Sequence, residues 1–213
     1  AKAQFFEPDG ADDFETQKLA LSTASIELAQ ILDETRSAIM RRLRNDRGKR
    51  STRELLTYFL TAQEIFERAN SSHVQYQALR HHFKHSDVLF RFQRLLLEQG
   101  IACRKVSDEL IGRLRYQHQG NLLQLAEALQ ASLNYLQEYH QAHEEGANHR
   151  PLELIGSMGA LLKNLRAISR LLSGLAEIKE RILDTSYIQT FLPPEPKKSG
   201  GFVGAVEKLK QNL

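Results

Sequence analysis

The histidines of this 213-residue chain are the side chains that most directly suggest metal chemistry. His81 and His82 lie four and three positions before His85, and His140 lies three positions before His143. On a helix these spacings place two imidazoles on one face, as helical zinc sites require. No cysteine pair and no HExxH motif accompanies them. We therefore expect structural or solvated histidines, no metal site and no cofactor.

A dense basic cluster suggests a second kind of chemistry, the binding of anions. It comprises Arg41, Arg42, Arg44, Arg47, Lys49, Arg50 and Arg53. Three interpretations are open: a solvated helix end, a surface for anionic lipid head groups, and a contact for an anionic substrate or nucleic acid. The net charge of the whole chain is only +3, which by itself does not favour nucleic acid as a partner.

Aromatic residues alternate with arginines just after the histidines. Phe83, Phe90 and Phe92, with Arg91 and Arg94, could in principle stack nucleic-acid bases. The aromatic residues recur at helical spacing, which favours packing of all three in a protein core.

Nothing in the sequence identifies a catalytic site. Asp108 and Glu109 are carboxylates without a partner of recognisable spacing, and neither a GxxxxGK[ST] nor a GxGxxG motif occurs. Cys103 is expected to be a small buried residue. As the only cysteine, it excludes an internal disulfide and fits a reducing compartment. We expect a protein that is not an enzyme.

We expect helices to position all of these residues, because apolar residues recur with a helical period and no alternating strand pattern occurs anywhere. The sequence predicts an all-α bundle of long antiparallel helices without a β-sheet. The first helix carries its apolar face on Leu21, Ala24, Leu28, Ile31 and Leu32. The predicted helices span about 13–44, 52–70, 74–84, 87–115, 121–143 and 151–183.

The domain organisation follows from the same pattern. Residues 1–191 are predicted to form one helical-bundle domain. Residues 192–213 open with LPPEPKKSGG, a stiff and then flexible linker, and continue as a short amphipathic helix. Hydrophobic residues make up 41% and charged residues 26%, as in ordinary globular proteins, and no apolar run approaches the roughly 20 residues of a membrane span. The chain does not begin with Met, so we expect it to be part of a longer polypeptide.

A long run of the chain is similar to a known family. The segments are RLRNDRGKRSTR from Arg42, AQEIFERANSSHVQYQALRHHFKHSDVLFRFQRLL from Ala62 and QGIAC from Gln99, with LLKNLRAI from Leu161 as a weaker match. Together they resemble the soluble segment of YccS/YhfK-type inner-membrane proteins. These belong to the fusaric-acid-resistance (FUSC) superfamily, which includes aromatic acid exporters.

The resemblance implies a cytoplasmic location at the bacterial inner membrane, with membrane-spanning bundles of the same polypeptide on both sides of this segment. It also implies a role in the assembly, gating or regulation of those membrane parts of an efflux transporter. The alternative is a free-standing helical adaptor that binds a protein or nucleic acid. Because the helices from Asp87 and Pro151 have wide apolar faces, we also expect a weak homo-oligomer at most.

Overall fold

The structure is a computed structural model of the chain. The structure describes residues 2–6, 14–45, 50–71, 74–112, 114, 116–117, 120–143 and 149–177. The chain divides into two compact units, Ala1–Leu183 and Asp184–Leu213, and every described residue belongs to the first. The predicted linker and terminal helix over 192–213 lie outside the described residues, as does the predicted boundary after residue 191.

Within the described residues the fold is all-α, as predicted, and contains no β-strand. A short 3₁₀ turn, Lys2–Phe6, precedes the α-helices, and a second, Leu175–Glu177, follows them. The helices are α1 (Phe14–Asn45), α2 (Arg50–Asn70), α3 (Tyr76–Phe83), α4 (Asp87–Ile111), α5 (Leu122–His143) and α6 (Arg150–Gly174).

The limits of α4 follow from local chemistry. Ser86 is its N-cap residue and accepts a hydrogen bond from the backbone N–H of Val88 at 3.2 Å. The helix ends at Ile111 rather than near residue 115, at Gly112, a residue of low helix propensity whose N–H makes the last helical hydrogen bond, to the Asp108 carbonyl at 2.9 Å. At the other end of the bundle, Pro151 lies in the first turn of α6, as expected.

The core lies between α4, α5 and α6; α5 runs antiparallel to the other two helices, and α4 and α6 run parallel to each other. Leu89, Phe92 and Leu95 of α4 are fully buried, and the most extensive helix–helix packing joins α5 to α6. Gly159 on α6 faces Leu133 on α5, whose Cδ2 would lie 3.9 Å from an added Cβ. This is ordinary van der Waals contact, so the helices do not need a glycine there in order to approach.

The N-terminal 3₁₀ turn is part of this core, which the sequence did not predict. Phe5 and Phe6 are each 1% exposed. The Phe6 ring stacks on Phe92 with centroids 5.0 Å apart, and the Phe5 ring stacks on Tyr76 at 4.5 Å. The turn therefore contributes two large apolar side chains to the core, Phe6 against α4 and Phe5 against α3.

Helices α1 and α2 form an antiparallel hairpin beside the core. The main packing partners of α1 are α2 and the N-terminal turn, whereas α2 packs against α6. Three residues of the predicted apolar face of α1, Ala24, Leu28 and Ile31, are exposed instead of buried. Ala24 and Leu28 are exposed because this part of α1 stands away from α4 and α6 and lines a cleft; Ile31 does not line that cleft.

Candidate functional site

An apolar cleft of about 510 Å³ lies between α1 and the bundle helices α4 and α6, beside the α1–α2 hairpin contact. Its walls come from α1, α2, α4 and the C-terminal end of α6, and we call it the α1 cleft. On α1 it is lined by Leu21, Ala24, Leu28 and Leu32, which recur at the three- and four-residue spacing of one helix face. Ile65 and Phe66 of α2, Val106 and Leu110 of α4, and Leu172 and Leu175 complete the apolar walls.

The lining of the α1 cleft defines its chemistry. Among the described residues that line it, none is Asp, Glu, Lys, Arg or His; the polar ones are Ser25, Tyr58, Thr61, Asn70, Cys103 and Ser107. The Ser25 hydroxyl donates to Asn70 Oδ1 across the mouth of the hairpin at 3.5 Å. A mostly apolar lining with a few hydroxyls, one amide and one thiol suits an apolar group held by burial and a small number of hydrogen bonds.

Cys103 lines this cleft, and its environment differs from the prediction. The residue is exposed, not buried, because its side of α4 faces the opening rather than the core. Contact with the apolar walls still raises the pKa of the Cys103 thiol, and the neighbouring Arg104 lowers it by a smaller amount. The thiol is therefore less ionised at neutral pH than a free cysteine.

The basic cluster lies at the closed end of the α1–α2 hairpin, away from the α1 cleft. Arg41 and Arg42 are exposed in the last turns of α1, where cations interact favourably with the helix dipole. Arg53 is half-buried in the first turn of α2. Arg47 and Lys49 lie outside the described residues, as do the side chains of Arg44 and Arg50. Within the cluster, the structure therefore places Arg41, Arg42 and Arg53 at one end of the hairpin.

The histidines make local contacts at the ends of α3 and α5. His82 Nδ1 lies 2.9 Å from the Ala78 carbonyl oxygen, and His143 Nδ1 lies 2.8 Å from that of Tyr139. The His140 ring packs edge-on against Phe83, with centroids 5.8 Å apart. Over the part of the chain that the structure describes, no group of three or more His, Cys, Asp or Glu side chains is placed to hold a metal ion.

The aromatic prediction is correct for two residues and wrong for the third. Phe83 and Phe92 are buried in the core, whereas Phe90 is 57% exposed. Phe90 lies two residues before Phe92, and two steps along a helix rotate a side chain by about 200°. The two rings therefore lie on opposite faces of α4.

Sequence reasoning missed the α1 cleft, although its signal was present. The stripe from Leu21 to Leu32 predicted an apolar face but not the space in front of it. That space depends on how far α1 stands from α4 and α6. Helical periodicity does not report the distance between two helices.

Comparison with known proteins identifies the family. A family model described as FUSC-like, "FUSC-like inner membrane protein yccS", matches residues 1–172. This chain belongs to that family. The inner membrane protein YccS of Escherichia coli (strain K12) is 42% identical over 167 residues, which cover 78% of this chain and 22% of the relative. An uncharacterized protein of Haemophilus influenzae is 30% identical over 176 residues, covering 83% of this chain and 23% of that protein.

The family assignment confirms the resemblance found in the sequence. The chain spans less than a quarter of the length of these two relatives. No solved structure matches it. Among the described helices, none combines the length and the apolar character needed to cross a membrane.

Proposed function

We propose that this chain is the cytoplasmic helical domain of a FUSC-type inner-membrane efflux transporter and that it assembles, gates or regulates the membrane-spanning parts. The observation that carries this proposal is the 42% identity to an inner membrane protein of which the chain covers only 22%. The remaining length of such a protein would supply the membrane-spanning bundles.

The exposed arginines support a location of the domain on the cytoplasmic side of the inner membrane. Segments of inner-membrane proteins that lie near a span on the cytoplasmic side carry an excess of Lys and Arg. Arg41 and Arg42 are exposed at one end of α1, where they can face anionic lipid head groups. The basic end of the hairpin is thus the part of the domain that we place nearest the membrane.

The α1 cleft supports a regulatory role. Because α1 lines a cleft instead of a filled core between Ala24 and Leu32, this part of α1 can shift without opening the packed α4–α5–α6 core. A displacement of the basic end of α1 by the membrane parts would change the width of the cleft. The domain would in this way convert movement at the membrane into a change of its own shape.

Cysteine accessibility in the full-length protein tests the location. Tyr135 on α5 is 70% exposed, so a Tyr135→Cys variant without other cysteines offers a reactive thiol. We expect a membrane-impermeant maleimide to label it in inverted inner-membrane vesicles but not in cells whose outer membrane alone is permeabilised. Labelling in those cells would place the domain in the periplasm.

The Tyr135→Cys variant also distinguishes the proposed transporter domain from the alternative, a free-standing adaptor. If the chain is a domain of a membrane protein, the labelled cysteine will sediment with membranes and resist extraction by salt. A free-standing helical adaptor would remain in the supernatant after ultracentrifugation. The adaptor alternative stays a prediction until that fractionation is done.

A further inference from the structure

An exposed apolar stripe runs along the outer face of α4. Its apolar members are Phe90, Leu97, Ile101 and Ile111, which are 57%, 50%, 50% and 80% exposed. These positions fit the a and d sites of a heptad repeat, the spacing that pairs one helix with another. We call this face, with its charged residues, the α4 stripe.

Among the described residues, the bundle leaves most of the α4 stripe exposed; only Phe90 and Arg94 border another helix, at Leu125 and Ala128 of α5. The opposite face of α4 carries its buried residues, including Phe92, Leu95 and Gln99, and packs against α5, α6 and the N-terminal turn. A helix that is apolar on both faces while one face is exposed indicates that a further surface covers it.

The charges on the stripe indicate which surface that is. The heptad positions between the apolar residues hold Arg94, Arg104 and Asp108. Arg94 lies seven positions before Ile101, and Asp108 lies seven positions after it. Across the described residues, no ion pair joins Arg94 or Asp108 to another side chain of the same chain.

We propose that two copies of the chain associate through the α4 stripe, antiparallel about a two-fold axis at Ile101. In this arrangement Arg94 of each copy lies opposite Asp108 of the other, and Phe90 lies opposite the region of Ile111. Parallel pairing would instead set Arg94 against Arg94 and Asp108 against Asp108, which like-charge repulsion disfavours. A two-fold interface of this kind is closed, so it yields a dimer and not a filament.

The size of the stripe sets the strength of the dimer. From Phe90 to Ile111 the helix rises about 32 Å, and a helix face is roughly 10 Å wide, which gives about 300 Å² per copy. A stable interface buries about 800 Å² per partner. The isolated chains should therefore associate weakly and reversibly, and tethering in a membrane would raise their effective concentration.

Sedimentation of the purified chain over a wide concentration range tests association. We expect a monomer–dimer equilibrium that the double variant Leu97→Glu/Ile101→Glu abolishes. Its matched control is Leu19→Glu/Ile26→Glu on α1, where the two residues are 69% and 60% exposed but lie outside the stripe. The control should dimerise like the wild type. A wild type that stays monomeric at millimolar concentration, or a control that is equally impaired, would overturn the proposal.

Charge reversal tests the pairing of Arg94 with Asp108. Arg94→Glu and Asp108→Arg should each weaken the dimer by about tenfold, since each sets like charges opposite one another. The double variant restores opposite charges at both ends and should return to the affinity of the wild type. If the two losses simply add in the double variant, the antiparallel pairing is wrong.

Disulfide trapping in a Cys103→Ser background tests the two-fold axis. Ile101→Cys lies on the axis and should form a homodimer rapidly under mild oxidation. Phe90→Cys alone should not, but a mixture of Phe90→Cys and Ile111→Cys chains should form heterodimers. Trapping of Phe90→Cys alone as fast as Ile101→Cys would indicate a parallel pair. Circular dichroism of every variant separates loss of the dimer from loss of the fold.

Discussion

Gln99 of α4 binds Ser169 of α6 inside the core. The Gln99 Nε2 donates to Ser169 Oγ at 2.9 Å and to the Leu165 carbonyl oxygen at 2.7 Å, and both side chains are buried. Among apolar neighbours, a satisfied amide fixes one register between two helices, since any shift along the axis would leave it without partners. The pair thus orients α6 against the helix that carries the α4 stripe.

Substitutions of the two hydrogen-bonded residues, Gln99 and Ser169, should destabilise the domain to different extents. Gln99→Met preserves most of the side-chain volume but removes both bonds, and we expect it to lower the free energy of unfolding by about 1–3 kcal/mol. Ser169→Ala leaves the bond to Leu165 in place and should cost less. Urea unfolding measures both, with Gln137→Met on the exposed face of α5 as the control. Equal losses for Ser169→Ala and Gln99→Met would contradict the dominant role of the Leu165 bond.

The N-terminal 3₁₀ turn should be essential to stability. Phe6→Ala removes a fully buried ring that stacks on Phe92, and such truncations typically cost about 3–5 kcal/mol. Gln4→Ala changes an exposed residue of the same turn and should have almost no effect. Thermal or urea unfolding of the two variants makes the comparison. A Phe6→Ala variant as stable as Gln4→Ala would show that the turn does not pack on α4 in solution.

The reactivity of Cys103 should report the α1 cleft. Because its pKa is raised in the folded chain, its rate of reaction with iodoacetamide at pH 7–8 should be lower than in the urea-unfolded chain, and it should rise with pH over a more alkaline range. Arg104→Gln removes the cation that stabilises the thiolate, so the pH profile should move further toward alkaline values. A profile that moves to lower pH would show that Arg104 does not act in this way.

The basic end of α1 should bind anionic membranes. Each exposed basic residue near an anionic surface contributes about 1 kcal/mol, so Arg41→Gln/Arg42→Gln should weaken binding to phosphatidylserine vesicles by about 2 kcal/mol. Added salt should also weaken the binding of the wild type, since it screens charges beyond roughly 10 Å at 0.1 M. Vesicle co-sedimentation at low and high salt measures both effects.

The matched control for this prediction lies at the other end of the hairpin. Lys18→Gln/Arg150→Gln removes the same charge from two exposed residues, and Lys18 lies about 35 Å from Arg41 along α1. If the control loses as much binding as the Arg41/Arg42 variant, only the net charge matters. If the wild type does not bind anionic vesicles at low salt, Arg41 and Arg42 form only a solvated helix end.

The sequence by itself determined the helical fold and most of its limits. The bounds of α1 and α5 agree with the prediction to within a residue or two, because caps and a 3.6-residue apolar period are local properties. The family was also evident from the sequence, since the run from Arg42 to Cys103 preserves specific residues and not only a pattern.

Only the tertiary structure decided which apolar residues are buried. Phe90 and Phe92 are identical in type and two positions apart, yet one is exposed and the other is in the core. Phe5 and Phe6 lie in a stretch without helical period, and only their contacts with α4 and Tyr76 show that they belong to the core. The α1 cleft likewise depends on the distance between α1 and α4. Burial and cavities are set by contacts between residues far apart in the chain, and local periodicity does not encode those distances.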